Sequence, residues 1–200
     1  SKFMAIYAAM CRLHMKTFGT TQRQIAAVCA KNHSHSVHNP WSQFRKPFSI
    51  DEVLASPPIT YPITLPMCAP LSDGAAAAIL CTEEGLKRIG ADKSRCIKIS
   101  ASVLRSFSPR RIDQPELHVG RLAAQQAYEI AGLGPQDMHV AEVHDASAMG
   151  EIIQAENLGL VELGMGGPAA ERGDFTIGGR IPINPSGGLE SKGHPIGATG

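Results

Sequence analysis

Between residues 3 and 17 the apolar positions Phe3, Ile6, Met10 and Leu13 recur every three or four residues, the period of a helix with one buried face. Gly19-Thr20 interrupts it. Thr21 with Gln24 three positions on makes a capping box, so a second helix is predicted to turn Ile25, Val28 and Cys29 inward. A polar stretch over 32–39 follows and ends at Pro40. Ser49 with Glu52 predicts another box and a short helix holding Val53 and Leu54. Prolines at 57, 58, 62, 66 and 70 then forbid a helix and a central strand alike, because proline has no amide hydrogen to donate. An extended surface traverse is predicted there.

From about residue 71 the texture changes. Residues 75–81 are short, apolar and uncharged, which predicts a strand buried on both faces. Thr82 caps a brief helix ending at Gly90, and 97–104 reads as a second strand. Residues 117–131 read as a helix that Gly132 terminates in the left-handed conformation. A strand over 138–143, a helix over 147–158 stopped by Gly159, and a strand over 180–183 complete the pattern before a glycine-rich loop. Strands alternating with helices across short connections predict a layered α/β fold. The division expected is a helical, proline-rich segment at 1–70 and an α/β unit from about 71 onward.

Composition narrows the function classes. The chain is 43% hydrophobic and 18% charged, which excludes a disordered protein. Nineteen basic against 18 acidic residues leave a net charge of +1. That balance has no electrostatic footprint for nucleic acid or an anionic membrane, and no apolar run reaches membrane-spanning length. Five cysteines without paired spacing do not make a disulfide framework, which predicts a reducing, cytoplasmic setting. The first residue is not Met and the last follows a half-finished glycine-rich stretch, so the sequence reads as an internal piece of a longer protein.

Three stretches carry candidate chemistry. The first is Asn184-Pro-Ser-Gly-Gly-Leu-Glu-Ser-Lys-Gly-His-Pro-Ile-Gly-Ala-Thr-Gly200. Its glycines allow close backbone approach to a ligand, and Pro195 stiffens the backbone at His194. A surface loop with an incidental histidine fits the composition as well. The second is Glu142-Val-His-Asp-Ala-Ser-Ala148, which places His144 at the carboxyl end of a predicted strand, where open α/β sheets bind ligands. A structural histidine is the competing reading. Adjacent strand residues point to opposite faces, so His144 and Asp145 are not expected to act as a dyad. The third, His33-x-His35-x-x-His38, tempts a metal reading. A helix would scatter the three rings, an extended chain would align two, and no partner cysteines or carboxylates stand at zinc-site spacing. A polar loop segment without metal is expected.

The first stretch resembles the C-terminal signature of the thiolase superfamily, Asn-x-x-Gly-Gly followed by Gly-His-Pro-x-Gly-x-Thr-Gly. Glu190, where many thiolases carry an aliphatic residue, departs from it; Glu190-Ser191-Lys192 is more similar to the sterol-carrier-protein type and to archaeal thiolases. Leu71-Ser-Asp-Gly-Ala-Ala-Ala-Ala78 resembles the entry to the last strand of the thiolase N-terminal half. Phe18-Gly-Thr-Thr21, Lys31-Asn-His33 and Asn39-Pro40 resemble the loop domain of the sterol-carrier-protein type. His144 and Asp145 match that type's His-Asp-Cys-Phe, while Ala146 and Ser147 depart from it and put the shape of the acyl pocket in question.

The resemblance implies a thiolase-like fold of mixed five-stranded sheets and helices in two similar halves. It would divide the chain into a loop-domain-like 1–70, the end of the N-terminal half at 71–95 and an incomplete C-terminal half at 96–200. It implies acyl transfer between acyl-CoA and CoA, making or cleaving a 3-ketoacyl-CoA, with coenzyme A as substrate and no cofactor. His194 would donate a hydrogen bond to the thioester oxygen and help activate the nucleophile, and His144 would complete that oxyanion pocket. A homodimer or tetramer is expected. The family's nucleophilic cysteine and its Cys-x-Gly acid/base cysteine match none of Cys11, Cys29, Cys68, Cys81 or Cys96, so the 200 residues alone are expected to be inactive. Two alternatives stand beside this: a thiolase-fold steroid side-chain retro-aldolase with a small OB-fold partner, and a non-catalytic lipid-transfer-like protein.

Overall fold

The computed structural model describes residues 2–198. Thr199 and Gly200, the last two positions of the glycine-rich signature, lie outside the described residues. Helix α1 (Lys2–Phe18) and α2 (Gln22–Ser36) open the chain, followed by α3 (Ile50–Ala55) and a hairpin of β1 (Pro58–Thr60) and β2 (Ile63–Thr64). Then come α4 (Glu83–Arg88), α5 (Val119–Ala131), α6 (Ala148–Asn157), α7 (Gly166–Arg172) and α8 (Gly188–Lys192). Among the described residues the architecture is mostly helical with a small sheet.

The core forms around α2, which packs against α3, α6, α7 and α8. Its start is the expected box: Gln24 N–H donates to Thr21 Oγ1 at 3.2 Å, and Thr21 N–H donates to Gln24 Oε1 at 3.1 Å. Ile25, Val28 and Cys29 are fully buried against Ala148, Met149 and Ile152 of α6 and against Phe175 and Ile183. The Ser49–Glu52 box also forms and starts α3, which buries Val53. Helix α7 was not predicted, because Gly166-Gly167-Pro168 looks like a turn. Those glycines instead let helices meet closely: a Cβ on Gly166 would sit 2.9 Å from Ile152 Cγ2, and one on Gly167 would sit 2.8 Å from Gln24 Oε1.

Helix α5 ends as expected. Gly132 takes φ +66°, and the amides of Gly132 and Leu133 satisfy the last carbonyls, Glu129 O and Tyr128 O. A Cβ added there would meet nothing within 4 Å, so Gly132→Ala isolates the backbone cost of a left-handed residue. Chemical denaturation should show a loss of about 1–2 kcal/mol. An unchanged midpoint would mean that the helix end is free to rearrange.

Three expectations are corrected. The polar stretch from 32 is not a loop, since α2 continues through Ser36 and buries Asn32, His33 and His35. The proline-rich stretch is not all surface: Ile63, Thr64 and Met67 are buried, with prolines at places that need no donor, the start of β1 and the 3-10 turn over 65–67. Most plainly, residues 75–81 form no strand and are exposed throughout, with Ile79 87% and Leu80 77% accessible. Residues 97–104 behave alike, Ile97 being 90% and Leu104 95% accessible. An apolar run has the propensity for a strand, but its amides and carbonyls need a neighbouring ladder. Neither run pairs with another among the described residues. The predicted strands at 138–143 and 180–183 do meet, through one parallel bridge between Ala141 and Ile183.

Candidate active site

Both candidate histidines hang from one short stretch of the proline-rich segment. Cys68 forms an antiparallel bridge with Ser147, and Ala69 N–H donates to Ala146 O at 3.1 Å. Two residues on, Leu71 bridges His194 in parallel, and His194 N–H donates to Pro70 O at 3.0 Å. Residues 68–71 thus act as a central strand, with the His144 turn on one edge and the His194 arm on the other. The two imidazoles meet edge to face, their centroids 4.8 Å apart and their planes at 76°. Burial, and then the neighbouring His194, hold the His144 pKa below the ordinary value, so its ring is neutral at neutral pH.

Glycine is required where the arm bends. Gly193 takes φ +99°, and a Cβ there would press on Gln43 Oε1 at 2.8 Å and on the Ser72 side chain. Asn184 is a non-glycine residue at positive φ, +51°. Every polar group it owns is engaged. Its amide donates to Ala141 O at 2.8 Å, its Oδ1 accepts from Val143 N–H at 2.8 Å, and its Nδ2 donates to Glu151 Oε2 at 2.9 Å. Its carbonyl accepts from His35 Nδ1 at 2.9 Å, while His35 Nε2 accepts from Ile177 N–H at 3.1 Å. His35 is thereby a neutral clasp and not a ligand. His33 is buried, its ring standing edge-on to Phe48 at 4.8 Å. Among the described residues no three metal-ligating side chains converge.

Behind the histidines lies a dry polar cluster that the sequence reading missed. Lys31, Asn32, Asp145, Glu151, Asn184 and Glu190 are each at most 5% exposed. Lys31 Nζ lies 3.0 Å from Glu151 Oε1 and also donates to Asn32 Oδ1 at 2.7 Å. Leu189 N–H donates to Asp145 Oδ1 at 2.7 Å. Burial, followed by the nearby Glu151, pushes Asp145 well above the carboxylate range; burial, followed by Asp145, does the same to Glu190. A signal was present. Asn32 and His35 continue the inward face of Ile25 and Val28 at helical spacing, and Glu151 sits on the buried face of α6 beside Ala148 and Ile152.

Cys68 is the thiol on the segment that carries both histidine arms. It is a poor nucleophile: burial, then the carboxyl of Glu190, pushes its pKa up to about 11, and its S–H points to Thr64 O. Burial raises Cys11 and Cys29 as well. No helix among the described residues is long and apolar enough to cross a membrane.

A family model described as thiolase C-terminal domain-like matches residues 108–199. The chain is 45% identical over 193 residues to sterol carrier protein 2 of Oryctolagus cuniculus, covering 94% of this chain and 35% of that protein. It is 41% identical over 199 residues to the acetyl-CoA acetyltransferase of Methanothermobacter thermautotrophicus, covering 99% and 52%. It is 37% identical over 196 residues to benzoylsuccinyl-CoA thiolase subunit BbsB of Thauera aromatica, covering 97% and 50%. The chain thus spans about a third to a half of the curated relatives it matches. Among solved structures, the Ltp2-ChsH2(DUF35) aldolase superposes with a TM-score of 0.70 at 20% identity, over 96% of this chain and 51% of the other. A monomeric SCP2-thiolase like protein type 1 from Mycobacterium smegmatis gives 0.67 at 15%, over 96% and 41%. These two speak to the fold alone. Over 108–199 the chain is thiolase C-terminal domain-like, and over most of its length it is homologous to sterol carrier protein 2 and to an archaeal acetyl-CoA acetyltransferase.

Proposed function

We propose that this chain provides the oxyanion-binding histidines of a thiolase-type acyl transfer, with coenzyme A thioesters as substrates. In the cleaving direction a cysteine thiolate attacks the 3-keto carbon of a 3-ketoacyl-CoA. The bond between carbons 2 and 3 breaks, acetyl-CoA leaves as its enolate and takes up a proton, and the acyl group stays on sulfur. The thiolate of free CoA then attacks that thioester and releases the shortened acyl-CoA. Each step gathers negative charge on an oxygen, and a fixed imidazole N–H is a suitable donor to it. His194 is assigned that role, with His144 completing the pocket directly or through a water. The observation that carries the reading is the edge-to-face contact of the two rings at 4.8 Å, held on both sides of residues 68–71. The nucleophile is assigned to a residue other than the five cysteines here, since none of them stands in either family cysteine motif and Cys68, beside the histidines, is protonated and hydrogen-bonded to Thr64 O.

The test is a substrate comparison with the full-length protein. Loss of a 3-ketoacyl-CoA that requires free CoA, with one acetyl-CoA formed per CoA consumed, is the expected result. Cleavage of a 3-hydroxyacyl-CoA to a carbonyl product without CoA consumption would replace this reading with a retro-aldol one. No turnover of either substrate would favour a lipid-binding role.

A further inference from the structure

The buried polar cluster joins the two segments that end in the histidines. Asn32 Nδ2 lies 3.1 Å from Asp145 Oδ2, 3.1 Å from Glu190 Oε2 and 3.0 Å from Glu151 Oε2. Asp145 directly follows His144, and Glu190 stands on α8 four residues ahead of His194. We propose that Asn32 and Glu190 are positioning residues for the histidine pair, the Asn32 amide tying the carboxyl beside His144 to the carboxyl on the arm that carries His194.

The charges of the cluster say in which state Glu190 does this. Three carboxyl groups share the Asn32 and Asn184 amides and one ammonium, all buried. Lys31 at 3.0 Å, together with Asn184, satisfies Glu151 as an anion, which leaves the two Asn32 amide hydrogens for Asp145 and Glu190. Asp145 has its own backbone donor in Leu189 N–H. Among the described residues Glu190 forms no ion pair and accepts from no backbone amide, Lys31 acting on it only from a distance, and its Oε1 is buried without a hydrogen-bond partner. It is therefore the carboxyl that stays protonated, a neutral group that accepts from Asn32. A leucine would pack this site at no electrostatic cost, since buried ionisable groups can often be exchanged for apolar ones without loss of stability. The carboxyl is explained by what it holds. Ionising it would set a second or third negative charge against Asp145 and Glu151 and push α8 away. The other groups facing the cluster are Lys31 and Cys29 from α2, Cys68 from the central segment and Tyr7 from α1.

The experiment compares Glu190→Leu and Glu190→Gln with the parent in the full-length protein carrying labelled histidines. The inference rests on the acyl-transfer reading only for its kinetic half. Glu190→Leu should fold at least as stably as the parent, yet weaken the nuclear Overhauser contact between the His144 and His194 rings. Its kcat should fall on the order of 10- to 100-fold with KM within a few-fold, since misplacing a reacting group by about 1 Å costs that much. Glu190→Gln, a neutral group with an acceptor for Asn32, should restore both. It should also abolish any fall of kcat with rising pH that ionisation of Glu190 imposes on the parent, a change that a purely structural residue would not produce. An unchanged ring contact in Glu190→Leu, or a Glu190→Gln variant as impaired as Glu190→Leu, overturns the inference whether or not the protein turns over acyl-CoA. A parent that shows the ring contact and its dependence on Glu190, but no turnover, counts against the function alone.

Discussion

Replacing His194 with alanine in the full-length protein is expected to slow acyl transfer by about 10²–10³-fold while leaving CoA binding within a few-fold. The asymmetry follows from where the ring sits. His194 is held by the bond from its amide to Pro70 O, by the bend at Gly193 before it and by the edge of His144, so its ring direction is set by the fold before substrate arrives. An oxyanion donor works mostly on charge that is absent in the ground state, so removing it raises the barrier more than it weakens binding. The measurement is kcat for thiolysis alongside CoA affinity by calorimetry. A variant with kcat near the parent's and collapsed affinity would assign His194 to CoA recognition. Loss of the acyl-enzyme with normal CoA binding would point instead to its part in activating the nucleophile.

Helix positions and caps were legible because they depend on neighbours in sequence. The Thr21–Gln24 and Ser49–Glu52 boxes, the Gly132 terminator and the inward face of Ile25, Val28 and Cys29 all form as read. The strands were not legible in the same way. Residues 75–81 and 97–104 carry the apolar pattern of buried strands, but pairing is a property of two segments, and neither run finds a second one among the described residues. The histidine pair was half legible: each ring stood out from its own motif, whereas their contact depends on residues 68–71, which five prolines made look like plain surface chain. The polar cluster was hidden by habit. Asn32, Glu151 and Glu190 occupy inward helix positions, and a polar residue there reads as a break in the apolar face until a partner is found for it.

The Lys31–Glu151 pair makes the second large expected effect, this time on stability. Both side chains are at most 3% exposed, and among the described residues the ammonium is the one cation in the cluster of three carboxyls. Lys31→Met removes it without removing bulk. The Glu151 carboxyl is already pushed above its ordinary range by burial, and Lys31 is the largest influence opposing that push. Stranding one member of a buried ion pair typically costs about 3–5 kcal/mol, and urea denaturation at pH 8 should show a loss of that size. The loss should shrink as pH falls. Without Lys31, Glu151 folds only as the neutral acid, so its pKa is raised in the folded state and ordinary in the unfolded one. Below the unfolded value both states are protonated and no penalty remains. Above it, folding must take up a proton, and stability falls by about 1.4 kcal/mol for each pH unit over which the two states differ by a whole proton. The gap between parent and Lys31→Met is therefore wider at pH 8 than at pH 5. Adding Glu151→Leu to Lys31→Met should recover most of the loss and flatten its pH dependence, because no ionisable group is then left unpaired at that position. A Lys31→Met variant that loses less than about 1 kcal/mol at pH 8, or a gap that is the same at both pH values, would mean that water reaches the cluster and that its charges are not held dry behind the histidines.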